Sequence, residues 1–391
     1  MNPDTLGIDV WAKAADAAKL LRAVAAMGDV DAGAIAGLRQ SWPAEVVTAA
    51  IDITRARQSA QGRLEDADTL IADHAGAQQA TPASLATWKA SHIAATCPDR
   101  RVLDAGCGIG SDSRALAGVV DVRAIDASNA RCWMATRYAA IAASQETLTD
   151  LKQVHGDVLH MDPSRRDADG RRLRNPALWS PNINLAHAAW ASTIDACLML
   201  GPGIDLDKLK VPDHVQVAFC SHNGSLLDAA AWSGRLATFD GPRVAVHLPT
   251  GSLHAGWPAP PQGGLGPAVG QFLHTPDPAL ERAGLLYKEA SAHGLWEPAP
   301  GLGLLLGHAA APSPWLQAWR IDGLLPPRTK AIQTWLKSHD GGPVTVRTRG
   351  GAVQDVDGLA RRLSGSGNTP MTVFMLRLDR KITALAVCKQ P

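Results

Sequence analysis

The sequence lacks any imbalance of charge: 38 Lys and Arg stand against 37 Asp and Glu, for a formal net charge of +1 over 391 residues. That excludes a global basic field drawing the whole chain onto nucleic acid, so any such attraction must come from local clusters. Paired cysteines are also missing. Cys97, Cys107, Cys132, Cys197, Cys220 and Cys388 are scattered, with no C-x-x-C among them, which argues against a disulfide framework or a zinc knuckle and fits reduced thiols in the cytosol. The 13 histidines contain no H-x-x-x-H or H-E-x-x-H spacing, so no metal site is expected. The first residues, MNPDTLGIDVW, carry an acid early and lack the basic-then-apolar pattern of a signal peptide. No apolar run approaches the roughly 18 residues of a membrane span. The expectation is a soluble, cytoplasmic protein with no membrane and no metal.

Apolar residues, at 46%, are plentiful enough to build real cores. At roughly 150 residues per domain the length suggests two or three of them. Residues 1–97 are Ala-rich with apolar positions at helical spacing, as in DAAKLLRAVAAM and PAEVVTAAIDITRAR, where Pro43 suits a first turn. From Arg101 the texture changes. RVLDAG is a short strand ending in a glycine turn, SDSRALAGV a helix, and VRAID a second strand, a β-α-β unit that argues for a parallel sheet. ACLMLG, VQVAFC and RVAVHL are further strand candidates. WPAPPQGGLGPA, residues 257–268, reads as a linker or exposed loop. Beyond it a smaller α+β segment is expected, with helices around 277–291 and 328–338 and strands VTVRT, MTVFMLRL and ITALAVC.

VLDAGCGIGSDS carries the most chemistry. Gly106, Gly108 and Gly110 permit a tight turn with room for a ligand against the backbone, and the following helix offers free N–H groups. Asp126, 20 residues after Gly106, ends the next strand at the right reach for two ribose hydroxyls. A dinucleotide fingerprint would need a third glycine at position 111, which is Ser, and an apolar residue where Asp104 stands. A glycine turn with no ligand is the plain alternative. D-x-G-x-G followed by a ribose acid resembles motif I of class I S-adenosylmethionine (SAM) methyltransferases, in which the acid at Asp104 would support the methionine end of the cofactor. Thr81-Pro82 reads as a helix N-cap with Pro at the first position. The surrounding TPASLA also resembles the T-P-x-x-(I/L)-A segment of cap trimethylguanosine synthase and related RNA methyltransferases, where it helps close over the cofactor.

DVLHMDPSRR has the form of the fourth strand of amino-directed methyltransferases, which ends in (D/N/S)-P-P-(Y/F/W). By that resemblance Asp162 and the backbone of Pro163 accept hydrogen bonds from the target nitrogen and aim its lone pair, a positioning task. Arg165 replaces the usual aromatic. Arg165 and Arg166 would clamp phosphate or stack on a base, and Arg171, Arg172 and Arg174 could extend the track. The alternative is a solvated loop in which these arginines pair with Asp167 and Asp169. From Trp315 to the end, 12 Lys or Arg stand against 5 Asp or Glu. Arg347, Arg349, Arg361, Arg362 and Lys381 form the obvious cluster, a phosphate-reading module or simply a soluble basic face. Trp179 could stack on a base or fill a core. Cys220 stands where 5-methyluridine methyltransferases carry a nucleophile but lacks its C-N-P-x-T-L context, so a buried strand cysteine is the expectation.

Several stretches together resemble a bacterial family of class I methyltransferases with a D-P-(A/P)-R-R motif and a C-terminal THUMP-like domain. They are DPSRRDADGRR, SPNINLAHAAW, SHNGSLLDAAAW, LHTPDPALERAGL and VTVRTRGGAVQDVDGLARRL. The resemblance implies an α/β fold. A class I methyltransferase Rossmann-like sheet (98–260) would follow a helical N-terminal domain (1–97) and precede a small α+β, THUMP-like C-terminal domain (268–391). It implies SAM as cofactor and RNA as substrate. A small anionic metabolite as methyl acceptor, or a non-catalytic RNA-binding role, are the other readings. Two departures stand out. Met199 occupies the place of a family lysine. Only 36 residues separate Asp126 from Asp162, short for two strands and two helices, which leaves Asp150 and Asp157 as rival acids for the adenine.

Overall fold

The computed structural model describes residues 2–28, 31–166, 171–260, 270–378 and 381–389. They divide into two compact units, 1–217 with 228–238 and 218–227 with 239–391. The first begins with helices α1 (Ile8–Asp16), α2 (Ala18–Ala26), α3 (Ala32–Arg39), α4 (Ala44–Ala60), α5 (His74–Gln79) and α6 (Ala83–Thr96). Then follow β1 (Val102–Ala105), α7 (Ser111–Ala117), β2 (Val122–Asp126), α8 (Asn129–Ala139), β3 (Ala143–Gln145), β4 (Val158–Met161), α9 (Ile183–Trp190), β5 (Ala196–Met199) and α10 (Leu206–Leu209). Strands β6 (Gln216–His222) and β7 (Ser225–Ser233) straddle the division.

In α4 the buried positions Val46, Val47, Ala50, Ile53 and Thr54 make one helical stripe. That stripe packs with Trp11 and Leu20, and with Ile109 of the glycine loop and Met134 and Tyr138 of α8, in one apolar core. Each such large side chain contributes roughly 1.5–3 kcal/mol by leaving water. The helical region therefore shares its core with the loop after β1. Arg131 of α8 adds an ion pair with buried Asp73 at 3.2 Å, and Asp73 also caps α5 through Gly76 N at 2.9 Å.

The sheet of this unit runs β3-β2-β1-β4-β5, all parallel, and Asp228–Ser233 of β7 adds antiparallel to β5. Strands β1, β4 and β5 are buried at every position, as a sheet covered on both faces requires. The short span before Asp162 has a simple cause: between β3 and β4 there is no second helix, only a 3₁₀ turn at Leu151–Val154.

The second unit holds the rest of β6 and β7, then β8 (Arg243–His247) and β9 (Ser252–Gly256), an antiparallel pair. It continues with β10 (Phe272–Pro276), α11 (Pro278–Ala283), α12 (Leu286–His293), β11 (Leu305–Gly307), β12 (Leu316–Leu325), α13 (Thr329–Ser338), β13 (Gly341–Arg349), α14 (Val356–Leu363), β14 (Thr369–Leu378) and β15 (Lys381–Lys389). Its six-stranded sheet has the order β11-β10-β12-β15-β14-β13. One face carries Trp319, Phe374 and Leu385; the other packs Val344, Val346 and Val373 against Ile332, Leu336, Leu359 and Leu363 of α13 and α14. The helix expected over 277–291 is two, because Gly284 ends α11 in the left-handed region. The strands β3, β7 and β9 to β12 went unread in the sequence.

Candidate active site at the carboxyl edge of the sheet

Pairing of Ala105 with Ile125 on one side and Met161 on the other aligns the ends of β1, β2 and β4. The glycine loop, Asp126 and Asp162 therefore meet at the carboxyl edge, where open α/β sheets bind ligands. Gly106, Gly108 and Gly110 have φ of +87°, +56° and +91°, the left-handed region that favours glycine. A Cβ on Gly108 would meet nothing within 4 Å, so this side of the loop is open. Asp126 ties the loop down: its two carboxylate oxygens accept from Gly108 N and Ser128 N, each at 2.9 Å. Burial pushes its carboxyl above the usual range, against the pull of those two N–H groups. A loop of left-handed glycines, open at Gly108, with a carboxylate at the end of the next strand fits the SAM expectation.

A buried polar chain lies under the loop. Ser113 Oγ donates to one oxygen of Asp104. The other oxygen lies 2.8 Å from His160 Nδ1. His160 Nε2 is 3.1 Å from Lys89 Nζ, and Lys89 Nζ is 2.7 Å from Asp112. Since the ammonium can only donate, His160 Nε2 accepts and its Nδ1–H points at Asp104. Thr81 Oγ1 donates to Asp112 at 2.7 Å, and Ser111 Oγ donates back to the Thr81 carbonyl at 2.5 Å. Asp104, Lys89 and His160 are each 1% exposed. Burial opposes the Lys89 charge, but Asp112 and its neighbours overcome it and hold the ammonium above its ordinary range. Burial also opposes charge on Asp112, which Lys89 and His160 outweigh, so this carboxyl is held below its ordinary range. Thr81 does not cap α6. Pro82 stands at the cap with no side-chain bond, and the Thr81 hydroxyl instead ties α6 to the start of α7. Met199 has its sulfur 3.3 Å from Lys89 Nζ.

Asp162 follows β4 directly. Its amide donates to the Ala105 carbonyl at 3.1 Å, and its own carbonyl faces Gly106. Burial, the largest cause, pushes its carboxyl up to about 7; Arg165 and Lys89 pull it down, while Asp228 and Asp112 push it up. After buried Pro163 the chain forms a flap. Ser164 N donates to Ser180 O at 2.6 Å, Leu173 N to Arg165 O at 2.7 Å, and Arg166 faces Arg172 across a bridge. Arg166, Arg171, Arg172 and Arg174 are exposed, and Leu178 is 61% exposed. Asp167 and Asp169, the alternative partners of these arginines, lie outside the described residues. Arg165 differs from the others: it turns inward, partly buried, with Nη2 3.8 Å from Asp228 of β7. Trp179 is buried and donates to the Leu173 carbonyl at 3.3 Å, so its ring packs inside the flap.

Neither rival for the adenine stands out. Asp150 caps the 3₁₀ turn, accepting from Lys152 N at 2.9 Å. Asp157 precedes β4, at the amino edge opposite the loop, and pairs with Arg101 at 3.0 Å. Cys220 is buried in β6. The C-terminal cations are not one patch. Arg347 and Arg349 alternate with buried Val344 and Val346, so they project from the face opposite α14, whose last turn carries Arg361 and Arg362. Arg347 lies over the Trp319 ring, 4.9 Å from its centroid, and Arg349 is 3.8 Å from Glu281. Lys381 opens β15 and is exposed.

The sequence reading missed Lys89, His160, Asp112 and Asp228. Two had a readable signal. Lys89 sits on the buried stripe of α6 with Leu85, Ala86, Ala90 and Ile93, and His160 interrupts an otherwise apolar, fully buried strand. A cation or an imidazole at such a position needs a partner.

Among the described residues no helix is long and apolar enough to cross a membrane, and no group of three or more His, Cys, Asp or Glu could hold a metal ion. A family model described as THUMP domain-like matches residues 316–390. An uncharacterised S-adenosylmethionine-dependent methyltransferase of Mycobacterium tuberculosis is 29% identical over 342 residues, covering 84% of this chain and 92% of that protein. A crystal structure of a methyltransferase candidate from Porphyromonas gingivalis W83 superposes with a TM-score of 0.69. It is 18% identical and covers 90% of this chain and 92% of its own, a likeness of fold.

Proposed function

We propose that this chain, a SAM-dependent methyltransferase, methylates a base nitrogen in RNA, with tRNA and rRNA as the candidate substrates. The observation that carries the reading is the contact between the two halves of the site: the Asp162 carbonyl lies against Gly106, so the cofactor loop and the Asp-Pro turn form one surface. The four exposed arginines of the flap beside that turn support an anionic, nucleic-acid substrate.

SAM supplies a methyl group already activated on sulfur, so the protein's task is mainly to orient. Gly106, Gly108 and Gly110 make room for the methionine end, and Asp126 holds the ribose hydroxyls. Asp104 and Thr81 keep the loop and α6 in place through the buried chain below. The Asp162 carboxylate and the Pro163 backbone accept hydrogen bonds from the target amino group and aim its lone pair. With its carboxyl pushed up to about 7, Asp162 can also take the proton that the nitrogen sheds. Arg165 and Arg166 hold base or phosphate, and Arg171, Arg172 and Arg174 extend the contact.

The test is transfer of labelled methyl from SAM to fractionated cellular RNA from cells lacking this protein, with protein and metabolite fractions alongside and Asp162→Ala as control. Label in one RNA fraction, lost in the variant, is the expected outcome. Label confined to metabolites or protein would overturn the RNA substrate. SAM binding and RNA binding without any transfer would leave a non-catalytic role.

A further inference from the structure

Arg165 is the one arginine of the flap that turns inward, and two independent features hold it there. Gly201, just past β5, has φ of +79°, and a Cβ on it would run into the Arg165 guanidinium. Only a glycine leaves that slot. On the far side stands Asp228, whose carboxylate is 3.8 Å from Arg165 Nη2 and only 17% exposed. β7 brings it there: Met199 pairs with Ala230, and Leu200 N donates to Ala229 O at 2.8 Å, so Asp228 emerges beyond the carboxyl end of β5. Asp162, after β4, reaches the same edge from the other side of β5.

We infer that Asp228 is a positioning residue of the transfer site: it shares with Asp162 the Arg165 guanidinium seated in the Gly201 slot, so that one cation serves two carboxylates and the charge of Asp162 depends on both. This rests on the reading that Asp162 orients the target. The charged and titratable groups around Asp162 are Arg165 on its own turn, Asp228 on β7, Lys89 on α6, Asp112 on α7 and the buried Cys197 thiol on β5. Burial pushes both Asp162 and Asp228 up, and Arg165 is the largest force opposing it in each. The sign of each substitution follows. Removing the Asp228 charge takes a like charge from Asp162 and leaves the cation wholly to it, so Asp162 ionises at lower pH. Removing Arg165 does the reverse.

The experiment follows Asp162 directly, by carbon NMR of the full chain carrying ¹³C-carboxyl aspartate, its resonance assigned by loss in Asp162→Asn. Asp228→Asn is expected to lower the Asp162 midpoint by about one pH unit and Arg165→Met to raise it by about as much. Asp228→Glu should keep it near that of the unaltered chain, which a loss of mere packing would not do. Gly201→Ala, which fills the slot and leaves Asp228 intact, should raise it, and provides the test if Asp228→Asn fails to fold. Midpoints that stay put in folded variants overturn the inference. Methyl transfer to fractionated RNA is measured on the same samples. Shifted midpoints without labelled RNA would support the positioning role and sink the RNA reading; labelled RNA with unmoved midpoints would do the opposite.

Discussion

Gly106 and Asp162 are in register across two neighbouring strands: a Cβ on Gly106 would lie 2.5 Å from the Asp162 carbonyl oxygen. The Asp162 amide returns the contact one residue earlier, donating to Ala105 O at 3.1 Å. The glycine loop and the Asp-Pro turn are thus fixed to each other by backbone. Gly106→Ala meets both that carbonyl and a left-handed φ of +87°, a conformation that costs an L-residue about 1–2 kcal/mol. SAM affinity should fall by about tenfold or more, read by calorimetry on folded protein. Unchanged affinity would mean that the loop does not carry the cofactor.

Asp162→Asn should separate binding from transfer. The side chain stands after β4 and the loop after β1, so SAM affinity should hold while transfer falls about 100-fold, the scale of a misplaced reacting group. Equal loss of both would place Asp162 in the cofactor site instead.

The sequence made β1, β2, β4 and β5, the glycine loop and the Asp-Pro turn legible, because each is a local pattern, a short apolar run or a glycine or proline turn that closes one. What stayed hidden depends on residues far apart in the chain. Lys89 finds Asp112 23 positions later and His160 71 positions later, and nothing local announces those partners, although a lysine on an apolar stripe does announce that one exists. The cap reading of Thr81 failed for a related reason: its hydroxyl serves Asp112, 31 positions later. The split of the C-terminal cations followed from β alternation, and Arg347 and Arg349 could have been separated from Arg361 and Arg362 once VTVRT was read as a strand.

Lys89 should matter for stability more than any surface charge. Its ammonium is 1% exposed and paired with Asp112 at 2.7 Å. Removing one member of a buried pair strands the other, at a cost of about 3–5 kcal/mol. Lys89→Met is therefore expected to lower the urea midpoint strongly, and Lys89→Met with Asp112→Asn to recover part of the loss. If the single variant unfolds at the same urea concentration as the unaltered chain, the pair contributes no stability.

The acid limb of the pH profile has a defined place and sign. On the proposed reading the target amine needs Asp162 as its acceptor, and this carboxyl is pushed up to about 7. Below that pH the group is protonated, so kcat/KM should fall about tenfold per pH unit as the acid form takes over. Stability runs the other way. A carboxyl raised in the folded state binds its proton more tightly there, so its stabilising contribution is fully present below the unfolded value of 3.8 and is lost as pH rises through about 7. Rate–pH curves and unfolding midpoints between pH 5 and 8 test both signs on one preparation; a limb near the ordinary carboxylate range would remove Asp162 from the role.

The flap arginines should show themselves in salt dependence rather than in chemistry. Arg171, Arg172 and Arg174 are exposed on a flap closed by the Ser164–Ser180 backbone pair, so replacing all three with Ala disturbs no core. If each neutralises a phosphate, each releases condensed counterions on binding, and the slope of log K against log salt should drop by about 0.7–0.9 per lost contact. The triple variant should therefore bind RNA more weakly at low salt, approach the unaltered chain at high salt, and keep its SAM affinity. Titrations of labelled RNA across a range of KCl measure the slope. An unchanged slope would return these arginines to an ordinary solvated loop and leave the anionic contact to Arg166 and the C-terminal domain. Because the three side chains lie outside the buried chain under the glycine loop, a loss of SAM affinity in the same variant would point instead to the flap closing over the cofactor.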